Sequence, residues 1–210
     1  MTIPPTPDTA PPLYGLVLAG GDSSRMGSDK SARCFHERPQ VRHCFELLSG
    51  FCERVFVSVR PEHRDKEVLE GLPLILDASD LRGPIAGVAS AMRGHPETAW
   101  LVLACDMPLV GVGLLAELVE QRDHARAATA FLGGDGAPEP LCAVYEPRLG
   151  TAIDLKLHSG GHRGLRRLLS EEDATLLPTP DHDVLESANT QEDLATANTR
   201  LRAFKEQGIL

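Results

Sequence analysis

The sequence has no long apolar run and no export signal, and these absences narrow its class before any motif is considered. No stretch approaches the ~20 apolar residues that a membrane span needs. The first residues, MTIPPTPDTAPP, lack the basic and apolar regions of a signal peptide. We therefore expect a cytoplasmic protein that does not act at a membrane.

Basic residues and paired cysteines are scarce as well. The 21 Lys and Arg residues are outnumbered by 30 Asp and Glu residues, so the net charge is −9. Because nucleic-acid-binding proteins normally have a basic balance, we expect no nucleic-acid partner. An anionic substrate must instead be held by local cations or backbone N–H groups. The five cysteines form no C-x-x-C pair, which favours reduced thiols over disulfides or structural zinc.

The chain after residue 12 alternates between apolar runs and helical patterns. Residues 1–12 contain five prolines and predict a disordered tail, which leaves 13–210 as a single domain. Strands are predicted at Leu13–Ala19, Val55–Val59, Leu74–Leu76, Trp100–Cys105, Ala127–Phe131 and Leu141–Tyr145. Helices are predicted around 39–49, 62–70, 85–93, 112–122, 148–157, 163–170 and 191–206. This alternation predicts an α/β fold with a mainly parallel sheet, and the glycine-rich turn at 133–136 predicts an antiparallel strand nearby.

A loop rich in glycine and serine follows the first predicted strand. The segment LAGGDSSRMGSDK at 18–30 combines two adjacent glycines with the cations Arg25 and Lys30. Glycines let the backbone approach a ligand closely, and backbone N–H groups suit phosphate. The spacing fits neither a Walker A loop nor the dinucleotide G-x-G-x-x-G motif. We interpret the loop as a phosphate-binding site of another type, with a solvated turn as the alternative.

Two carboxylates, Asp77 and Asp106, each follow a predicted strand at the end where α/β folds bind ligands. A buried carboxylate needs a partner, and for Asp106 the natural partner is Mg²⁺, the alternative being a helix cap. Gly83-Pro84 predicts a helix start against which a base or ribose could lie. The sequence has no G-x-S-x-G elbow, so acyl transfer has no support.

These motifs resemble the signature of nucleotidyltransferases that activate small phosphorylated acceptors. The pattern Leu-Ala-Gly-Gly-x-Ser-x-Arg-Met-Gly-x-Asp-Lys at 18–30 is the most specific part of the resemblance. The segments GPIAG at 83–87, CDMP at 105–108 and NTQEDL at 189–194 match in order and spacing. Within that group the chain is similar to the molybdenum cofactor guanylyltransferase (MobA-like) family over roughly residues 13–197.

The resemblance implies a three-layer, Rossmann-like nucleotidyltransferase fold that uses GTP and Mg²⁺. The phosphate of molybdopterin would attack the α-phosphorus of GTP and displace pyrophosphate. The product would be the guanine dinucleotide form of the cofactor. By matching position, the residues that line the nucleotide would be Leu18, Ala19, Gly20 and Gly21. Lys30 and Arg25 would be catalytic cations, Asp77 would contact the guanosine, and Asp106 would hold Mg²⁺. Transient contact with molybdoenzymes or cofactor-insertion proteins is a further expectation.

The acceptor is expected on a basic helix face that follows Gly160-Gly161. Arg163, Arg166 and Arg167 share this face and would hold the phosphate end of molybdopterin, with Asn189 as a further contact. The alternative is a solvated face on which Arg167 pairs with Glu171. The chain departs from the family pattern in two places: Ser58 replaces an Asn near the base, and Glu139 adds negative charge near the acceptor.

Two other functions stay open at this point. A cytidylyltransferase or a sugar-phosphate nucleotidyltransferase would have the same fold, although the Leu-Ala-Gly-Gly form of the loop favours GTP. A non-catalytic nucleotide-binding accessory protein of molybdoenzyme assembly would not need both Lys30 and Asp106.

The loop generates the first testable prediction. Lys30→Ala should lower turnover about 10²–10³-fold and leave the fold intact, because it removes one preorganised charge from the phosphates. Pyrophosphate release measures turnover, and circular dichroism checks the fold. Turnover within a few-fold of the wild type would remove Lys30 from the catalytic residues.

Overall fold

A seven-stranded sheet forms the centre of the computed structural model, which describes residues 10–20, 38–159, 164–179 and 181–207. The strands are β1 (Leu13–Leu18), β2 (Arg54–Val59), β3 (Leu74–Leu76), β4 (Ala99–Ala104), β5 (Ala128–Leu132), β6 (Pro138–Tyr145) and β7 (Ala174–Leu177). They lie in the order β3-β2-β1-β4-β6-β5-β7. Within the described ranges only β6 runs antiparallel to its neighbours, which confirms the predicted mainly parallel sheet.

Helices cover both faces of this sheet. The described α-helices are α1 (Gln40–Ser49), α2 (Pro84–Gly94), α3 (Val112–Glu120), α4 (Pro147–His158), α5 (Leu165–Glu171) and α6 (Gln191–Gln207). On β1, Gly15 faces Leu48 of α1, whereas Leu18 faces Gly87 of α2. Because alternate residues of a strand point to opposite faces, α1 and α2 lie on opposite sides of the sheet. This is the predicted three-layer arrangement.

Coverage on both faces explains the composition of the central strand. Every residue of β4 is buried, and Trp100 through Leu103 have no exposed surface. A strand that is buried on both sides has no polar face, so it appears in the sequence as a continuous apolar run. None of the helices in the described ranges is both long and apolar enough to cross a membrane.

The structure corrects one predicted element, adds one strand and extends another. The helix predicted at 62–70 is wrong, since Pro61–His63 and Glu67–Leu69 form two separate 3-10 turns. This stretch has only two apolar residues, too few for the apolar stripe that buries a helix. Strand β7 was not predicted, because it is only four residues long and pairs at the sheet edge. Strand β6 begins at Pro138 rather than Leu141, and its two prolines lie beyond the residues that pair with β4.

The glycine-rich turn joins β5 to β6, as the sequence predicted. The backbone N–H of Gly136 donates to the carbonyl of Gly133 at 2.9 Å, and Gly133 donates to Ala137 at 2.8 Å. Gly136 has a φ of 74°, a left-handed conformation that favours glycine. The turn therefore fixes the antiparallel hairpin, and with it the position of Glu139 at the start of β6.

A buried ion pair joins the end of α3 to the beginning of α4. Arg122 donates to both carboxylate oxygens of Glu146 at 2.6 and 3.0 Å, and the two side chains are 11% and 1% exposed. Arg122 also donates to the carbonyl of Pro11 at 3.0 Å, and Ala99 donates to the carbonyl of Pro12. The last two residues of the predicted tail are thus bonded to the domain.

Removal of one partner should show how much this pair contributes. Arg122→Ala should lower the free energy of unfolding by roughly 3–5 kcal/mol, because it leaves the Glu146 carboxylate buried without its partner. Arg126 is the matched control, since it also pairs with carboxylates but lies half-exposed, so Arg126→Ala should have a much smaller effect. Urea unfolding measures both, and equal losses would contradict the assignment.

Candidate functional site

The candidate site lies at the carboxyl ends of the adjacent strands β1 and β4, where the strand order of the sheet changes direction. Strands β1 and β4 are parallel neighbours, but β1 continues to β2 on one side whereas β4 continues toward β5 on the other. The loops after such a pair of strands diverge and leave a crevice, which is where α/β sheets bind ligands. The described residues line a cavity of about 90 Å³ at this point.

This cavity brings together residues that the sequence predicted separately. Leu18, Gly20, Asp77 and Asp106 all line it. The start of α2 adds Gly83, Pro84 and Gly87, so the predicted helix start also lies at the site. Ser58, Ala104, Cys105 and Leu141 complete the lining. Gly21, Arg25 and Lys30 lie outside the described residues, and their roles stay predictions.

Asp77 lies at the end of β3 and bonds to the neighbouring strand. The Ser58 hydroxyl of β2 donates to Asp77 Oδ1, and the Asp77 backbone N–H donates to the carbonyl of Val59 at 2.9 Å. Burial raises the pKa of the Asp77 carboxyl, and Glu62 raises it further. The hydrogen bond from Ser58 and the nearby charges of Arg60 and His63 lower that pKa. The carboxylate is therefore partly desolvated, and its ionised form depends on the groups around it.

Asp106 lies two residues after β4 and contacts the segment that precedes α6. Its carbonyl accepts the backbone N–H of Ala188 at 2.8 Å, and its carboxylate accepts the Ser187 hydroxyl at 3.4 Å. Asn189, a predicted acceptor residue, is next along the chain, and its backbone N–H donates to Asp193 Oδ2 at 2.8 Å. The structure thus places the beginning of the NTQEDL motif beside Asp106. The sequence did not predict Ser187, because a serine in a loop carries no distinctive signal.

Comparison with known proteins now identifies the family. The model of the MobA-like NTP transferase domain matches residues 15–176. The chain belongs to this family. A probable molybdenum cofactor guanylyltransferase of Trichormus variabilis is 33% identical over 186 residues, which cover 87% of this chain and 89% of that protein. The molybdenum cofactor guanylyltransferase of Pseudomonas fluorescens is 29% identical over 191 residues, or 90% of this chain and 95% of that protein.

One relative is much longer than this chain. A molybdenum cofactor biosynthesis bifunctional protein of Synechocystis is 33% identical over 188 residues, but the chain spans only 54% of it. Among solved structures, molybdopterin-guanine dinucleotide biosynthesis protein A of Archaeoglobus fulgidus has a TM-score of 0.74 at 22% identity, covering 90% of this chain and 99% of its own. A 2-C-methyl-D-erythritol 4-phosphate cytidylyltransferase of Thermus thermophilus has a TM-score of 0.66 at 15% identity, covering 89% and 98%. These structures show that the chain has the fold of this nucleotidyltransferase group.

The described residues offer few protein ligands for a metal ion in this MobA-like domain. The described residues contain no group of three or more His, Cys, Asp or Glu side chains arranged around one point. Mg²⁺ bound with a nucleotide commonly takes only one or two carboxylates and fills its other positions with phosphate oxygens and water. Asp106, at the pocket and bonded through one oxygen to a neutral hydroxyl, fits that requirement.

The basic face that was predicted to hold the acceptor is paired with carboxylates. Arg166 donates to Asp135 at 2.6 Å and to Glu139 at 3.4 Å, and Arg167 donates to Glu171 at 2.5 Å. The pair between Arg167 and Glu171 is the one expected for a solvated face. Arg163 lies outside the described residues. An acceptor phosphate would therefore compete with internal carboxylates, and the acceptor-binding role of this face stays a prediction.

Glu139 lies close to the pocket, and Arg166 neutralises it. Its carboxylate accepts the backbone N–H of Leu141 at 2.8 Å, and Leu141 lines the pocket. Burial raises the pKa of Glu139 and the charge of Asp106 adds to this, whereas the Leu141 N–H and Arg166 lower the pKa. The negative charge that departs from the family pattern is thus compensated inside the fold.

A larger groove lies away from these residues. It has a volume of about 480 Å³ and runs between α2 and α4, where Arg93 and Asp154 pair at 2.8 Å. None of the described site residues lines it. Size alone would select this groove, but Gly20, Asp77 and Asp106, which the sequence assigns to the nucleotide, line the smaller cavity.

The raised pKa of Asp77 makes a prediction about stability. The folded protein keeps this proton at pH values where the unfolded chain has lost it, so the ionised carboxylate lowers stability at neutral pH. The loss vanishes as the pH falls below the ordinary Asp pKa of about 3.9. Asp77→Asn should therefore raise the melting temperature at pH 7, and raise it by less as the pH approaches 4.

Thermal unfolding across this pH range measures the effect. Asp154→Asn is the control, since it changes an exposed carboxylate whose ion pair lies at the surface. An Asp77→Asn protein that melts below the wild type at pH 7 would contradict the desolvation argument.

Proposed function

We propose that this protein transfers GMP from GTP to the phosphate of molybdopterin and so forms the guanine dinucleotide cofactor. The observation that supports this most strongly is the cavity after β1 and β4, where Gly20, Asp77 and Asp106 meet. All three were assigned to the nucleotide by motif alone, and relatives that cover most of the chain are named guanylyltransferases.

In this reaction a phosphate oxygen of molybdopterin forms a bond to the α-phosphorus of GTP. The bond from that phosphorus to the bridging oxygen of the β-phosphate breaks, and pyrophosphate leaves with the electron pair. A phosphate nucleophile is already ionised at neutral pH, so the protein needs no general base. Its contribution is alignment and neutralisation of charge.

The residues divide this work by position. Leu18, Ala19 and Gly20, at the end of β1 and in the loop after it, would line the nucleotide. Asp77 would accept a hydrogen bond from the guanosine. Asp106 would hold Mg²⁺, which when bound neutralises the phosphates of GTP. Arg25 and Lys30 would add cationic charge from the loop at 18–30. Asn189, Arg163 and the α5 residues Arg166 and Arg167 would face the acceptor.

The choice of base rests on the chain's own loop and its relatives, because the fold does not settle it. A cytidylyltransferase shares the fold with a TM-score of 0.66. The decisive experiment mixes the purified protein with Mg²⁺, molybdopterin and each nucleoside triphosphate and records pyrophosphate. GTP should be used well over tenfold better than CTP. Equal or reversed use would assign the protein to the cytidylyltransferases, and no turnover with any nucleotide would favour an accessory protein.

The proposed metal ligand gives a second measurement. Asp106→Asn should shift the Mg²⁺ titration of activity to higher concentration and lower the maximum, because a neutral amide binds the cation weakly. Asp154→Asn, at an exposed ion pair distant from the cavity, should leave both unchanged. A wild-type titration curve at full activity in Asp106→Asn would leave Asp106 with a structural role only.

A further inference from the structure

Ser58 is a buried hydroxyl residue near the carboxyl end of β2, the strand next to the edge strand β3. It is 1% exposed and lines the cavity between β2 and α2. A buried hydroxyl without a hydrogen bond is costly, and in strands such groups commonly bond to backbone. Here the hydroxyl donates to the carboxylate of Asp77, a residue that we assign to the nucleotide.

The two partners of this bond are fixed to different degrees. Ser58 pairs on one side with Leu18 of β1 and on the other with Ile75 of β3, and its carbonyl accepts the N–H of Ala19 at 2.9 Å. Asp77 follows β3, a three-residue strand at the edge of the sheet. The backbone of Ser58 is therefore held by strands on both sides, whereas Asp77 lies just beyond the end of a short edge strand.

Two glycines leave the space that this pair occupies. A Cβ on Gly87 of α2 would overlap the Ser58 hydroxyl, and a Cβ on Gly20 would overlap Asp77 Oδ2. The pair is thus enclosed between α2 and the loop after β1. Because Oδ1 is bonded to Ser58, the oxygen that lies beside Gly20, at the nucleotide loop, is Oδ2.

We propose that Ser58 is a positioning residue that orients the Asp77 carboxylate toward the nucleotide and thereby sets the affinity for GTP. This rests on the proposed function, in which Asp77 contacts the guanosine. Ser58 itself touches no reacting atom, since its one hydroxyl proton is donated to Asp77. Its effect should be on nucleotide binding and not on the transfer step, which takes place at the phosphates.

The test is a double-mutant cycle with Ser58→Ala and Asp77→Ala. Ser58→Ala should weaken the Kd for GTP, measured with Mg²⁺ by titration calorimetry, about tenfold, as expected for one lost hydrogen bond to a charged group. Steady-state kinetics should show KM for GTP raised by a similar factor and kcat changed less than about threefold. The double variant should bind GTP no more weakly than Asp77→Ala alone.

Thr129→Val is the matched control, because it also removes a fully buried strand hydroxyl that forms one hydrogen bond. Thr129 lies in β5 away from the cavity, so its loss should lower stability without changing the Kd for GTP. Additive effects of Ser58→Ala and Asp77→Ala, or a wild-type Kd in Ser58→Ala, would overturn the proposal.

Thermal unfolding of the same four proteins separates this inference from the function it rests on. Melting temperatures should be non-additive if the two side chains are coupled, whether or not GTP is the substrate. Coupled melting temperatures without any GTP turnover would overturn the proposed function and retain the Ser58–Asp77 coupling. Normal GTP turnover with additive melting temperatures and additive binding losses would retain the function and overturn the role of Ser58.

Discussion

The parallel pairing of β1 with β4 determines where every other part of the site lies. Six successive residue pairs, from Leu13–Ala99 to Leu18–Ala104, hold the two strands in register. Gly20 and Asp106 each follow two residues after the last pair, so the register brings the residues after β1 and after β4 to the same level. A shift of one residue would turn the buried side chains of β4 to the opposite face and separate these two positions.

The next two strands extend this arrangement by the same principle. Strand β2 pairs with β1 up to Ser58, and β3 pairs with β2 up to Leu76, so Asp77 arrives at the edge of the cavity one residue later. Each functional residue is therefore placed by the length of the strand before it. Strand length can place these residues together because the carboxyl ends of parallel strands meet at one edge of the sheet.

Charge presents the site with a separate problem. The chain has a net charge of −9, and Asp77 and Asp106 line the cavity, where no Lys or Arg is among the described lining residues. A nucleoside triphosphate at this cavity therefore depends on cations outside the lining, such as Arg60 near Asp77 and Arg25 and Lys30 of the loop at 18–30. Arg166 already pairs with Glu139, so its charge is partly compensated by a carboxylate of the protein itself. In the proposed reaction, a bound Mg²⁺ would further reduce the repulsion between the triphosphate and the carboxylates.

The sequence predicted the elements with strong periodicity and the positions with distinctive chemistry. The predicted bounds of the apolar strands lie within a residue or two of the observed ones. Burial on both faces makes such a strand a continuous apolar run, whose ends are clear in the sequence. Gly20 and Asp106 could be predicted to lie close together because each follows a parallel strand, and both line the cavity, whereas their roles stay predictions. The helix predicted at 62–70 was wrong. The mostly charged residues of this stretch have helix propensity but form no apolar face, and propensity alone does not stabilise a helix. The contact of Ser187 with Asp106 could not be predicted, since it joins residues far apart in the chain.

The Ser58–Asp77 pair shows why a departure from a family pattern can be read only in three dimensions. In the sequence, Ser58 is a small polar residue where an Asn was expected, and this suggests a lost contact. In the structure, Gly87 of α2 lies directly against Ser58, and a Cβ at position 87 would overlap the Ser58 hydroxyl. The hydroxyl is short enough to fit under Gly87 and still reach Asp77. The serine therefore keeps a hydrogen bond to the carboxylate, and the glycine of α2 leaves the space that its hydroxyl occupies.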